Sequence, residues 1–269
     1  MHTPEARISL IVDIGNTNIV CGIYENGKLG WFARFQSSSK RTADEYYALL
    51  KPLMGSYCLE AIEQVALGSV VPELTRIWLH LFQKYAKAKV YEINGYSKLG
   101  LSYPISDPGF IGADLIANAL AAWKKYMANC LVIDLGTATT LQLVSKNGEF
   151  IGTSIIPGLK TGAGAMFEKA ALLSEIELTN PSGILATNTR EALLSGIVNG
   201  HALMLEAFIT EVKKEYSDLL PLMTIVTGGI SELLLPLMPS VDISDKTLTL
   251  DGLYLALLSV SSEVNNITA

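Results

Sequence analysis

Leu10-Ile11-Val12-Asp13-Ile14-Gly15-Asn16-Thr17-Asn18 decides the reading of this chain, because Leu131-Val132-Ile133-Asp134-Leu135-Gly136-Thr137-Ala138-Thr139-Thr140 repeats its plan. In both, an apolar run ends in Asp-x-Gly and is followed by hydroxyl or amide residues. The echo continues downstream: Asn26-Gly27 lies 13 and 14 residues after Asp13, and Asn147-Gly148 lies 13 and 14 residues after Asp134. Asn-Gly between apolar runs is a strong hairpin signal, since both residues tolerate positive φ. Each unit therefore reads strand, polar turn, strand, Asn-Gly turn, strand. Two copies at one internal spacing imply a duplicated fold.

An apolar run of this kind suits a strand buried on both faces. Asp-x-Gly at its end sets a carboxylate at the mouth of the sheet, and Gly15 and Gly136 let the backbone turn sharply beside a ligand. Asn and Thr side chains and loop N–H groups can donate to phosphate oxygens. A carboxylate repels phosphate unless a divalent cation such as Mg²⁺ takes oxygen ligands from both. Two such loops across a cleft could hold one polyphosphate.

Composition narrows the class. The chain has 269 residues, 49% hydrophobic and 17% charged, enough for two domains with substantial cores. A net charge of −6 argues against a nucleic-acid-binding surface. Cys21, Cys58 and Cys130 are odd in number and scattered, as free thiols of a reducing compartment are. His2, His80 and His201 are isolated, and no Cys/His spacing suggests zinc. No apolar run reaches transmembrane length and Met1 to Arg7 is not a signal peptide, so the expected location is the cytoplasm, with no membrane partner.

Taken in order, strands are expected near Ser9–Asp13, Ile19–Tyr24 and Gly30–Phe35, then a polar loop Ser37-Ser38-Ser39-Lys40-Arg41. Thr42 with Glu45 forms a capping-box pattern for a helix to Met54. A strand Val65–Val71, a helix from Pro72 to Lys87 and a strand Lys89–Ile93 complete a mixed sheet. Gly112-Ala113-Asp114-Leu115 opens a helix to Met127, with Asp114 in its first turn, either as a helix-start acid or as a general base. In the second half, Ile155-Ile156-Pro157-Gly158 ends a strand and a helix runs from Lys160 to Leu172. Thr189 is expected to cap a long helix to Tyr216 that contains Gly196 and Gly200. Thr227-Gly228-Gly229 ends a strand, and Leu250-Asp251-Gly252 starts the last helix. Asp242 and Asp245 read as solvated turn acids. The halves are expected at 1–128 and 129–269.

Two Asp-x-Gly hairpins with a later Thr-Gly-Gly turn resemble the sugar kinase, actin and Hsp70 superfamily. Within it the chain is similar to the type III pantothenate kinase family through Asp13 to Asn18, Gly112-Ala113-Asp114, Asp134 to Thr140, Pro157-Gly158, Asn188-Thr189 and Thr227-Gly228-Gly229, in family order across nearly the whole chain. The resemblance implies an α/β architecture: a duplicated ribonuclease H-like, actin-like ATPase fold, two mixed-sheet domains around a nucleotide cleft. It implies phosphorylation of pantothenate by ATP in the first step of coenzyme A synthesis, with Mg²⁺, a monovalent cation (K⁺ or NH₄⁺) and a homodimer. On the same resemblance, Asp13, Ile14, Gly15, Asn16, Thr17 and Asn18 hold phosphate, with Asp13 near the Mg²⁺. Asp134 binds the monovalent cation, and Thr137 and Gly228 face ATP. Asp114 accepts the proton of the pantothenate hydroxyl, Gly112, Ala113 and Leu115 line the acceptor pocket, and Thr189 reaches it from the partner subunit.

The chain departs from the family pattern at three places. Leu115 stands where Arg is usual after the catalytic Asp, Gln142 stands where Asp is common, and Ile105 occupies a position where the family often has Tyr, with Tyr103 nearby. Leu cannot supply the charge and donors of Arg. These departures leave two alternatives beside pantothenate kinase: a non-catalytic nucleotide-binding regulator, and a kinase for another small hydroxyl compound.

Overall fold

The computed structural model describes residues 8–169 and 176–267. The chain forms two compact units, residues 1–121 with 248–269, and residues 122–247.

In the first unit, β1 (Ile8–Ile14) is central, paired antiparallel to β2 (Asn18–Glu25) and parallel to β4 (Gln64–Ser69). With β3 (Lys28–Gln36) and β5 (Lys89–Ile93) the sheet order is β3-β2-β1-β4-β5. Central placement accounts for the run Leu10–Val12 being fully buried. One face packs on α1 (Ala43–Leu53) and α2 (Pro72–Tyr85) through a core containing Leu10, Val12, Tyr46, Leu50, Trp78 and Phe82. The capping box at Thr42 and Glu45 is formed as the sequence implies. The Asn26-Gly27 turn has both residues at positive φ, 51° and 83°, as a two-residue type I′ hairpin requires.

In the second unit, β6 (Asn129–Leu135) lies between antiparallel β7 (Ala138–Val144) and parallel β9 (Leu222–Thr227). Adding β8 (Phe150–Pro157) and β10 (Ile243–Ser244) gives the order β10-β9-β6-β7-β8, the same pattern read from the opposite edge. The duplication reaches fine detail. β1 and β6 share one pattern of buried and part-buried positions, and a register irregularity falls at Ile23/Tyr24 in one second strand and at Leu143/Val144 in the other. The second hairpin turn differs: only Gly148 has positive φ (82°), in a longer loop closed by Ser145 and Glu149.

Several sequence expectations are revised. The last helix, α8 (Leu248–Ile267), groups with the first unit rather than with residues 129–247, and α3 (Ala113–Tyr126) runs past the unit boundary at residue 121. α8 covers the open face of the first sheet, where Gly22 and Gly68 leave room for Leu250 and Leu253. Tyr24 donates to Asp251 and stacks on Tyr254 at 4.3 Å, fixing α8 to β2. Such packing is non-local and leaves no mark in sequence order.

The long helix expected from Thr189 is instead α5 (Thr189–Leu194), a π-helical stretch Ser195–Asn199 and α6 (Gly200–Glu215). Its cap is Asn188, whose side chain accepts from the Glu191 N–H; Thr189 is the first helical residue. Taken as one run, Thr189–Glu215 is long and apolar enough to cross a membrane by length and composition, contrary to the sequence reading. It nevertheless sends Leu194, Val198, Ala202, Leu205 and Ile209 into the core of the second unit, as an amphipathic core helix does. The helix expected at Lys160–Leu172 is α4 (Leu159–Lys169), and residues 170–172 lie outside the described residues, as do Met1 to Arg7.

Asp242 is an exposed loop acid, as the sequence reading has it, but Asp245 is not solvated. Asp242 accepts from the Thr224 N–H at 2.7 Å. Asp245, 9% exposed, accepts from Lys125 at 2.5 Å and Tyr126 at 2.7 Å. Burial alone would raise its pKa, but these bonds outweigh it and hold the carboxyl below its ordinary value.

Candidate active site

In the first unit three chain segments converge. β1 ends at Asp13-Ile14, with Asp13 part-buried and in register with Gly68 of β4. A Cβ at Gly68 would lie 3.4 Å from the Cβ of Ala113, at the start of α3. The Val70 N–H donates to the Ile14 carbonyl at 3.0 Å, and Val70 in turn approaches Gly112. The ends of β1 and β4 thus meet the first turn of α3, which carries Asp114.

The Asp114 carboxylate folds back over this turn. Its Oδ1 accepts from the Leu115 N–H at 2.8 Å, and a Cβ on Gly112 would meet it at 2.5 Å, so a side chain there would displace the carboxylate. Burial raises the Asp114 pKa above the ordinary carboxylate value, against the smaller opposing effect of backbone donors. A part-buried carboxylate with raised proton affinity is suited to accept a hydroxyl proton. Leu115 is buried at 8% exposure. Ile105 is exposed, whereas Tyr103 is half-buried and its hydroxyl is pushed up to about 12 by burial.

The Asp13 loop is turned by the Gly15 N–H donating to the Asn18 carbonyl at 2.9 Å, which leaves Asn16 and Thr17 exposed. A second loop holds it. Ser37 Oγ donates to the Gly15 carbonyl at 2.6 Å and the Ser37 N–H to the Thr17 carbonyl at 2.9 Å. Ser37 was legible only as part of a polar stretch.

In the second unit Asp134 is part-buried at the same strand position, in register with Thr140 and Thr227. Gly228 has φ +95°, and a Cβ there would meet the Leu135 backbone at 2.6 Å and Asp134 Oδ1 at 2.7 Å. Gly158 is equally confined: its Cβ would lie 2.3 Å from the Gly136 carbonyl oxygen. The Gly158 N–H and Thr161 Oγ1 both donate to the Thr137 carbonyl, at 3.1 and 2.6 Å, while the Thr137 side chain is at an exposed position. His201, which the sequence offered only as an isolated histidine, bonds Thr139 Oγ1 through Nε2 at 3.1 Å, and burial lowers its pKa. Thr189 is exposed. The structure thus gathers Asp13 to Asn18 with Gly112, Ala113, Asp114 and Leu115 in one unit, and Asp134, Thr137 and Gly228 in the other.

Among the described residues no three His, Cys, Asp or Glu side chains gather as a metal cage. A single part-buried carboxylate beside exposed amide and hydroxyl donors fits a Mg²⁺ carried mainly by phosphate oxygens, since Mg²⁺ keeps few protein ligands.

Comparison with known proteins agrees with these features. The family model described as type III pantothenate kinase matches residues 9–211. Type III pantothenate kinases of Roseiflexus castenholzii and Geobacter sulfurreducens are 36% and 35% identical, each aligned over 91% of this chain and 96% of the relative. Among solved structures, a protein of Campylobacter jejuni described as a conserved Baf family transcriptional activator superposes with a TM-score of 0.58 at 18% identity, covering 96% of this chain and 99% of that one. MreB 5 of Spiroplasma citri, bound to AMPPNP, gives 0.55 at 14% identity, covering 98% and 99%. At these identities the structural likeness speaks for the actin-like fold.

Proposed function

The chain belongs to the type III pantothenate kinase family, and from that membership we propose that it transfers the terminal phosphoryl group of ATP to the hydroxyl of pantothenate, giving 4'-phosphopantothenate for coenzyme A synthesis. The observation that carries the reading is the convergence of Asp114 with the strand end that bears Asp13. Phosphoryl transfer asks a protein mainly for positioning and charge neutralisation, with a carboxylate to orient the nucleophile and take its proton.

Asp114 accepts the hydroxyl proton as the phosphoryl group arrives. Its partial burial keeps water from competing and raises its basicity. Gly112 and Ala113 allow the acceptor close to that carboxylate, and the buried Leu115 gives this pocket an apolar wall. The loop Asp13 to Asn18 contacts phosphate, and Thr137 and Gly228 contact the nucleotide. Mg²⁺ bound with ATP would neutralise phosphate charge, with Asp13 as its protein oxygen ligand. Asp134 is the ligand we assign to a monovalent cation, K⁺ or NH₄⁺.

We further infer a cytoplasmic homodimer in which Thr189 of the partner subunit completes the acceptor site. Exposed apolar residues on the second unit, Ile184, Leu185 and Leu203, support a surface covered by another chain. The test is ADP formation by the purified protein with Mg·ATP and pantothenate. Pantothenate-dependent turnover that Asp114→Asn abolishes with the fold retained supports kinase action. Nucleotide binding without turnover supports the regulator instead, and turnover only with other hydroxyl compounds supports the third alternative.

A further inference from the structure

Beside the Asp13 loop the first unit carries a cavity of about 370 Å³ that the proposed reaction has not used. Its walls include Asn16 of that loop, Ser37, Ser38, Ser39 and Lys40 of the β3–α1 connection, and Glu73 in the first turn of α2. The connection is fixed to the Asp13 loop by the two Ser37 bonds to Gly15 and Thr17. Among the described residues Lys40 makes no hydrogen bond or ion pair, although its neighbour Arg41 bonds the Gln36 carbonyl and lies over the Tyr46 ring. One loop thus brings a flexible cation to a cavity walled by the phosphate loop.

We propose that Lys40, with the hydroxyls of Ser38 and Ser39, is a phosphate-binding element for the terminal phosphates of the nucleotide. The proposal rests on the Asp13 loop being the phosphate loop of the kinase reading. Lys is a mobile point charge with three donors, suited to phosphate oxygens that change position during transfer. The hydroxyls provide neutral donors beside it. Glu73 sets an opposing charge on the same wall, so net attraction for phosphate depends on Lys40.

The experiment compares wild type, Lys40→Gln, Lys40→Arg and Glu73→Gln in steady-state kinetics, with inorganic tripolyphosphate as a competing probe. Loss of Lys40 is expected to raise KM for ATP about tenfold and to weaken tripolyphosphate inhibition about as much. KM for pantothenate stays within twofold, Lys40→Arg recovers part of the loss, and Glu73→Gln tightens the probe. An unchanged ATP KM in Lys40→Gln overturns the proposal, as does a rise confined to the pantothenate KM, which would make Lys40 an acceptor-side cation. Wild-type protein that turns over no ATP overturns the kinase reading; direct titration with tripolyphosphate, with and without Lys40, then still decides the phosphate site.

Discussion

After Asp13 the loop borders an open cavity; after Asp134 it is walled closely by backbone. Ser37 ties the first loop through its hydroxyl and N–H, and a Cβ on Gly15 would meet only the Asn18 carbonyl, at 3.1 Å. Around the second loop Gly228 and Gly158 bring backbone so close that no side chain fits. The register extends the contrast. Gly68 of β4 stands opposite Asp13 where Thr227 of β9 stands opposite Asp134. Gly22, covered by Leu250, occupies the strand position that Gln142 occupies in the other sheet. A duplicated hairpin has kept its strands, carboxylate and bulge while its surroundings diverged: the first is fitted for mobile polar contacts, the second for a rigid, closely shaped wall.

The largest effect is expected at the acid that only the first unit carries. Asp114→Asn should lower kcat about a thousandfold, within the range for loss of a proton acceptor, with little change in either KM. The sign of its pH dependence follows from the raised pKa. The base works only when ionised, so activity falls as pH drops through a value above the ordinary carboxylate range. The folded state binds this proton more tightly than the unfolded chain, so the ionised form destabilises the fold above that pKa. Asp114→Asn should therefore be more stable than wild type at neutral pH in urea unfolding, and a less stable variant would contradict the burial argument.

Next come the paired carboxylates. Asp13→Asn and Asp134→Asn should both impair turnover, by about a hundredfold. The first should alter the Mg²⁺ dependence, and the second the response to exchange of K⁺ for Na⁺. Identical cation profiles for the two variants would break the division of roles.

Glycine substitutions test the supports. Gly228→Ala should cost about 2–4 kcal/mol, from positive φ and from contact with Leu135 and Asp134. Gly15→Ala should cost about 1 kcal/mol or less, because one carbonyl must yield by tenths of an ångström. Equal losses in thermal unfolding would mean the two loops are equally confined.

The strand duplication, the Asp-x-Gly turns, the Thr42 capping box and the place of Asp114 in the first turn of α3 were legible because each is written in a local pattern of adjacent or periodically spaced residues. What escaped depends on distant parts of the chain. Nothing near Leu250 announces that α8 packs on β2, and nothing near Asp245 announces Lys125 and Tyr126. Ser37 gains meaning only when β3 delivers it beside Gly15, and Lys40 only when it shares a cavity wall with Asn16. At the helix cap, Asn188 outcompeted Thr189 by one position, since either side chain can accept there.

A modest effect of opposite sign concerns Gln142. Its amide is fully buried with no hydrogen-bond partner among the described residues, as is the Thr140 hydroxyl on the same strand face. Gln142→Met should stabilise the protein by about 1–2 kcal/mol by relieving that desolvation. Destabilisation would show that the amide is satisfied in solution and serves the second sheet as a bound polar group.

The central claim is tested most directly by ADP release from Mg·ATP with and without pantothenate, in K⁺ and then in Na⁺. The account predicts turnover that requires pantothenate and falls when Na⁺ replaces K⁺. ATP bound but never consumed, whichever cation is present, would contradict it.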